Sequence, residues 1–232
     1  MLSSMLLAQG THIAPLAHEL GIGVCLHSYG WGIGVAGRSW KDDRWARAWQ
    51  VDLTSYRLRE ESRSRSAYRD QGGRDFVFGK LYYVYLLEGV YAYQRVLMYR
   101  SAVSAAQVSV SIGTGPAFAL LKPYYIEIAV PVSATQAIIK VDTYDPQLYA
   151  YSDIVGEADF YLGFDKLRAV PGVVGQAALE VNFGQNPALF RAILLGARFQ
   201  AFSSGIQSLS GKDPRQMWVS GILALYIGNA WK

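Results

Sequence analysis

The sequence predicts an all-β chain, a transmembrane antiparallel up-and-down β-barrel of about ten strands with eight as the alternative, and three observations predict it. In Gln216 to Trp231, Met217, Val219, Leu223, Leu225 and Ile227 alternate with Gln216, Ser220, Ala224 and Gly228. A period of two puts one set of side chains on each face of a strand, here a greasy face and a small or polar one. The segment closes on an aromatic, Trp231. Second, segments of about ten residues with the same alternation and aromatics near their ends recur along the chain, as in strands that cross a bilayer. Third, a chain that is 51% hydrophobic and 13% aromatic, with mean hydropathy +0.11, has no run of about 18 strongly apolar residues to form a membrane helix. Its longest uncharged run, Ser101 to Leu121, carries Ser104, Gln107, Ser109, Ser111, Gly113, Thr114, Gly115 and Pro116, poor contents for a helix in lipid. A soluble β-protein is the competing reading of the same pattern.

Taken in order, the chain opens on a leader or truncated signal segment, 1–17, with the barrel over 18–232. Met5-Leu6-Leu7 is a short apolar patch followed by Ala8-Gln9, a small-residue junction of the cleavable kind, but the basic n-region and full apolar stretch of a signal peptide are missing. The expected strands run Glu19 to Ser28, Gly30 to Trp40, Ala46 to Arg59, Asp75 to Leu87, Gly89 to Tyr99, Ala105 to Ala119, Tyr124 to Val130, Pro171 to Phe183, Leu189 to Phe202 and Gln216 to Ala230. Tyr29-Gly30, Lys41-Asp42-Asp43, Glu88-Gly89, Lys122-Pro123 and Asn186-Pro187 supply turn signals between them. With both termini periplasmic, parity places the long connections Glu60 to Arg74, Val132 to Val170 and Ser203 to Arg215 on one side and the short turns on the other, as barrels of the outer membrane arrange them. The implied location is the bacterial outer membrane, and one domain suits 232 residues.

The polar face of each strand defines an expected lumen. Gln50, Asp52 and Thr54 of the third strand point inward, as do Lys80 and Tyr82 of the fourth, Tyr125 and Glu127 of the seventh, Gln176, Glu180 and Asn182 of the eighth, and Arg198 and Gln200 of the ninth. Arg95 of the fifth joins them if Tyr91 and Tyr93 also face in. Asp52, Glu127 and Glu180 would then pair with Lys80, Arg95 and Arg198, because a buried charge is costly unless matched. The cluster reads as an ionic plug in a narrow barrel, or as a selective pore or proton-transfer site.

Catalysis and cofactors find little footing. All three histidines, His12, His18 and His27, lie early in the chain. His27-Ser28 is the only histidine beside a hydroxyl, and neighbours on a strand point to opposite faces. No metal site follows from scattered histidines and the single cysteine, Cys25, which reads as a small apolar residue in a strand. Gly21-Ile22-Gly23 and Gly113-Thr114-Gly115 precede no helix and read as strand bends rather than phosphate loops.

The net charge of +4 is concentrated in the first long loop, where Arg57, Arg59, Arg63, Arg65, Arg69 and Arg74 face Glu60, Glu61 and Asp70. Guanidinium forks suit phosphate, so Arg63, Arg65 and Arg69 are candidates for contact with lipopolysaccharide, against a simple solvated loop. Nucleic acid is not expected, since the aromatics sit in strands and not among the arginines.

The runs Arg74-Asp75-Phe76-Val77-Phe78-Gly79-Lys80-Leu81-Tyr82-Tyr83-Val84-Tyr85, Gly113-Thr114-Gly115-Pro116, Leu120-Leu121-Lys122-Pro123-Tyr124-Tyr125-Ile126-Glu127 and Pro171-Gly172-Val173 resemble a family of uncharacterised outer-membrane barrels from the Bacteroidota. The resemblance implies a barrel from about residue 18 onward and carries no reaction with it. Tyr82 stands where such proteins often have asparagine, and Gly228-Asn229-Ala230-Trp231 replaces a more basic ending. The expectation is therefore a non-enzymatic, cofactor-free barrel of structural or accessory role, whose partners are outer-membrane lipids, lipopolysaccharide and an outer-membrane protein. A narrow pore for small solutes and a lipid A-modifying hydrolase are the rivals.

Overall fold

Strand β1 (His18–His27) pairs along one edge with β2 (Gly30–Trp40) through the Ser28-Tyr29 turn, and along the other with the last strand, where His18 stands opposite Trp231 and His27 opposite Ile222. The first and last strands thus meet, and the sheet has no open edge. The computed structural model describes residues 17–99, 106–133, 136–184, 186 and 188–232. All but the last residue of the expected leader, His12 included, lies outside the described residues. The further strands are β3 (Trp45–Tyr56), β4 (Arg63–Ser64), β5 (Phe76–Val77), β6 (Tyr82–Met98), β7 (Ala106–Pro123), β8 (Tyr125–Ser133), β9 (Gln136–Thr143), β10 (Ile154–Glu157), β11 (Arg168–Phe183), β12 (Leu189–Ile206) and β13 (Arg215–Trp231). Eight of them close an antiparallel ring in the order β1-β13-β12-β11-β7-β6-β3-β2.

The ring has eight strands, the alternative to the expected ten, for two physical reasons. Glu88-Gly89 is no turn: β6 runs straight through it, with Glu88 opposite Asp52 and Gly89 opposite Val51, so the expected fourth and fifth strands are one. Gly79, at φ +83°, breaks the chain just before β6 begins. Lys122-Pro123 is no turn either. The chain continues past Tyr124 into β8, which leaves the ring and pairs with β9 and β10 in a separate three-stranded sheet. Tyr124 to Val130, expected in the barrel, belongs to that sheet.

Parity survives the merger, because two expected strands and two expected turns disappear together. The long connections 57–81, 124–167 and 207–214 emerge at one end with the β1–β2 hairpin, hereafter the loop end. The connections at 41–44 and 184–188 lie at the opposite end with the C-terminal Trp231, the turn end.

Alternation sorts the side chains as the period of two requires. Ile22, Val24, Leu26, Trp31, Ile33, Val51, Leu53, Ile112, Leu195, Val219 and Ile227 are all exposed, although they are the large apolar residues of their strands. Such a contiguous apolar exterior fits a bilayer. Trp45, Trp49, Tyr91, Tyr93 and Trp231 stand exposed toward the turn end and Trp31 beside the β1–β2 hairpin, as interfacial aromatics do.

The strands are unequal. β1, β2 and β3 have 10, 11 and 12 residues, while β6, β7, β11, β12 and β13 have 17, 18, 16, 18 and 17. About 9–11 tilted residues cross a bilayer, so the short strands match one span and the long ones exceed it. Pairing of β1 with β13 stops at Ile222, and Gly221 bonds Ser28 of the hairpin turn, leaving Arg215 to Ser220 to rise beyond the hairpin at the loop end. The long strands are contiguous in the ring, and so are the short ones. The barrel rim is therefore slanted, with a notch over β1, β2 and β3.

Above the rim the two longer connections fold together. Phe76 packs with Tyr124, Ile126, Ile128, Tyr144 and Ile154 in a buried cluster. The Val77 amide donates to the Tyr124 hydroxyl (3.0 Å), the Ser66 hydroxyl to the Val155 carbonyl (2.5 Å) and the Tyr151 hydroxyl to the Arg65 carbonyl (2.5 Å).

Candidate functional site

The inward positions build three tiers along the barrel axis. Nearest the turn end, Arg38 of β2 forms ion pairs with Glu19 of β1 (3.0 Å) and Glu180 of β11, and its guanidinium lies over the Phe190 ring at 4.4 Å. Gln94 of β6 donates to Glu180 (3.2 Å) and to Ser109 (2.5 Å). In the middle tier Arg198 of β12 pairs with Asp52 of β3 and Glu88 of β6 (2.7 Å), and its Nε donates to Gln176 (2.7 Å). Tyr226 and Gln50 donate to Asp52 (3.0 and 2.6 Å), and Gln200 donates to Glu88 (3.1 Å). Arg198, Asp52 and Glu88 have no exposed side-chain surface. The third tier, at the loop end, is apolar: Tyr56, Val84, Leu86, Leu121, Phe202 and Trp218 belong to one buried cluster.

Small residues make the middle tier fit. Gly32, Gly34 and Ala36 of β2 face inward, and a Cβ at Gly34 would collide with Oδ1 of Asp52. An eight-stranded barrel is just wide enough for side chains to fill, so a glycine on one wall admits an ionic bridge from another. Two small voids lie among the tiers, of ≈ 20 Å³ beside Arg38 and Gln50 and of ≈ 10 Å³ beside His27 and Gln200. One water needs roughly 10–15 Å³ on this measure.

Of the expected lumen cluster, Asp52, Glu180 and Arg198 are lumenal, together with Gln50, Gln176 and Gln200. Lys80, Arg95 and Glu127 are not. Lys80 lies on the loop before β6, paired with Glu61 (2.6 Å) and seated over the Tyr83 ring at 4.1 Å, because Gly79 ends the expected strand there. Burial pulls the Lys80 ammonium below its ordinary pKa, and its bond to Glu61 opposes that shift. Arg95 faces outward at the turn end with its guanidinium 5.5 Å from the Trp45 ring. Tyr91 and Tyr93, on its side of β6, are 47% and 57% exposed, which fixes the parity. Glu127 sits on β8 above the barrel and pairs with Arg74 (2.9 Å).

The places of those three are taken by Glu19, Arg38 and Glu88. Glu88 was legible in the even alternation Val84, Leu86, Glu88, Val90, Ala92, Gln94, and Arg38 in the inward parity of Gly32, Gly34 and Ala36. The expected balance of charge changes with them. Two guanidiniums, Arg38 and Arg198, face four carboxylates, Glu19, Asp52, Glu88 and Glu180, and neutral donors from Tyr226, Gln50, Gln94 and Gln200 supply the remaining hydrogen bonds.

Other expected residues fall elsewhere. Arg63, Arg65 and Arg69 are exposed on the first long connection, and among the described residues none of the three forms an ion pair. His27 and Ser28 do not bond each other: the Ser28 hydroxyl accepts the Gly221 amide (2.9 Å), while Nε2 of His27 is buried without a partner. Glu19 of β1 is buried in the lumen, and His18 bonds Ser39 across the turn end (3.2 Å). Cys25 is buried among Ala36, Ala178, Ile222 and Ala224. No group of three or more His, Cys, Asp or Glu residues able to hold a metal occurs among the described residues.

No protein-family model matches the chain, and neither does any curated protein. Among solved structures it is similar to Ail, the attachment invasion locus protein of Yersinia pestis, at 11% identity and a TM-score of 0.38, covering 94% of this chain and 99% of that one. The same protein in complex with the heparin analogue sucrose octasulfate gives 9% identity and a TM-score of 0.34 over the same shares. At such scores the fold assignment rests on the closed strand ring itself.

Proposed function

We propose that this chain is an integral barrel of the bacterial outer membrane with a structural or accessory role, closed to solutes and not catalytic. The observation that carries the reading is the pair of guanidiniums that bridge the lumen at two levels, each to a carboxylate on a distant strand. Charges crossing a bore this narrow fill it, and an apolar tier lies in series with them. The apolar exterior, the short connections at the turn end and the long ones at the loop end support insertion with the loop end outward.

The working surface in this reading is the co-folded loop-end assembly. It presents Arg63, Arg65 and Arg69 exposed, and their forks suit the phosphates of lipopolysaccharide, with an outer-membrane protein as the further partner. Planar-bilayer recording of the purified chain tests the closed lumen. Little or no unit conductance is expected, and a stable, ion-selective open level would turn the reading into a pore.

A further inference from the structure

The notch of the slanted rim holds a cleft of ≈ 330 Å³, lined by Ser28 and Tyr29 of the hairpin, Val219 of β13, and Arg59, Glu60 and Arg215. Val219 belongs to the outer face of the wall and is 64% exposed, so the cleft opens to the surroundings of the barrel and not into its lumen. Among the described residues neither Arg59 nor Arg215 forms an ion pair, while Glu60 has Lys212 at 3.9 Å. Two guanidiniums without a carboxylate partner thus line one cleft.

Below the cleft, on the same side, the outer wall is hollowed. A concavity of ≈ 750 Å³ crosses β13, β1, β2 and β3, lined by Ile22, Val24, Ile33, Val35, Leu53 and Leu225, all exposed. Its floor is backbone at Gly23 and Gly34, which pair across β1 and β2. Leu26, Trp31 and Leu223, also exposed, carry the apolar surface from the concavity up to the hairpin. From Val24 to Ser28 the strand rises about 13 Å at ~3.3 Å per residue. A bilayer has a hydrocarbon layer ~30 Å thick with headgroup zones of roughly 5–8 Å on either side. A wall one span tall therefore sets the concavity among acyl chains and the cleft among headgroups.

We propose that cleft and concavity together hold one phosphorylated, acylated lipid of the outer leaflet, with its phosphate on Arg59 and Arg215 and an acyl chain along the concavity. Resting on the outer-membrane reading above, that lipid is the lipid A part of lipopolysaccharide. Guanidinium forks bond phosphate oxygens in pairs, and beside an apolar boundary such bonds are stronger than in water. A second membrane protein would cover the hollow, but the two arginines above it call for an anion, and one lipid molecule carries both chemistries. The site is separate from Arg63, Arg65 and Arg69, which stand exposed on the first long connection.

The test is photo-cross-linking of the full chain in phospholipid vesicles containing lipid A with a diazirine in one acyl chain, the adducts being mapped by peptide mass spectrometry. Adducts should concentrate on β1 and β2. Arg59→Gln with Arg215→Gln, both on exposed side chains, should lower that yield by roughly 10-fold, and so should removal of the phosphates from the probe. Arg63→Gln, Arg65→Gln and Arg69→Gln together should leave it unchanged, and excess inorganic phosphate should not displace the lipid. Adducts spread evenly over β7, β11 and β12 as well would mean ordinary annular lipid and overturn the site. So would a double variant labelled like the parent chain, loss of labelling in the loop variant alone, or displacement by phosphate, and each of these leaves the outer-membrane reading standing. No adduct anywhere on the chain would remove that reading together with the site.

Discussion

Arg38 on β2 and Glu180 on β11 form an ion pair although their strands stand four places apart in a ring of eight, on opposite sides of the barrel. Arg198 on β12 and Asp52 on β3 stand in the same relation one tier higher. Each guanidinium also holds a second carboxylate on another strand, Glu19 for Arg38 and Glu88 for Arg198. The strand ladder ties neighbours together, whereas these two side chains tie opposite walls.

Removing one partner leaves a buried charge unmatched, so Arg198→Met should cost ~3–5 kcal/mol of stability. Replacing the whole group, Arg198→Met with Asp52→Asn and Glu88→Gln, should recover most of that loss. Urea unfolding in lipid vesicles, followed by Trp fluorescence, measures both. A triple variant no more stable than Arg198→Met would show that the cost lies in packing and not in charge.

Gly34→Ala should act through Asp52. The added methyl meets Oδ1, and Asp52 is pinned by Arg198 and Tyr226, so it cannot swing away without breaking those bonds. A loss of about 1–3 kcal/mol is expected. A double-mutant cycle with Asp52→Ala, which removes the oxygen that the methyl meets, should show the two changes non-additive, because the glycine's role is to admit that carboxylate. Full additivity would remove the steric account.

Acid should loosen the loop-end assembly before the barrel. Arg74 bonds Asp159 and Glu127, both at 2.9 Å, and its bond, with that of Tyr161, holds the Asp159 carboxyl below the ordinary carboxylate range. A depressed folded pKa contributes stability that is present above the unfolded value of about 3.9 and is lost as pH falls through the folded one. Amide protection around β10, measured relative to the intrinsic exchange rate at each pH, should therefore be steady from about pH 7 to 5 and fall below about 4. With Arg74→Gln that acid-dependent step should shrink, and an unchanged profile would assign it to other groups.

If Arg63, Arg65 and Arg69 engage lipopolysaccharide, their replacement together by glutamine should weaken glycolipid binding at low salt. The deficit should narrow as salt rises, since exposed charges are screened over about 8 Å at physiological ionic strength. Surface plasmon resonance on immobilised lipopolysaccharide gives both readings. Equal binding at low salt would leave the loop merely solvated.

The barrel was legible where alternation is strict and both faces are chemically distinct. In β13, Val219, Leu223 and Ile227 are exposed against buried Trp218, Ala224 and Tyr226, as the period of two requires. Legibility failed where a turn dipeptide contradicted the alternation. Glu88-Gly89 has the composition of a turn, and weighting it over the unbroken pattern of its flanks displaced Glu88 from the lumen and turned Arg95 inward. The departure of β8 from the ring was invisible for another reason: Tyr124, Ile126 and Ile128 alternate as a barrel strand does, but the apolar face they bury belongs to the loop-end cluster. Pairing across the barrel, as between Arg38 and Glu180, is set by ring order and register, which no single strand records.

The slanted rim gives the molecule a front and a back in the plane of the membrane. A neighbour drifting up to the side of β1, β2 and β3 meets a wall about one bilayer tall with an open notch above it. On the far side it meets strands that continue past the lipid as a parapet. Lateral approaches to the barrel are therefore not equivalent by rotation about its axis.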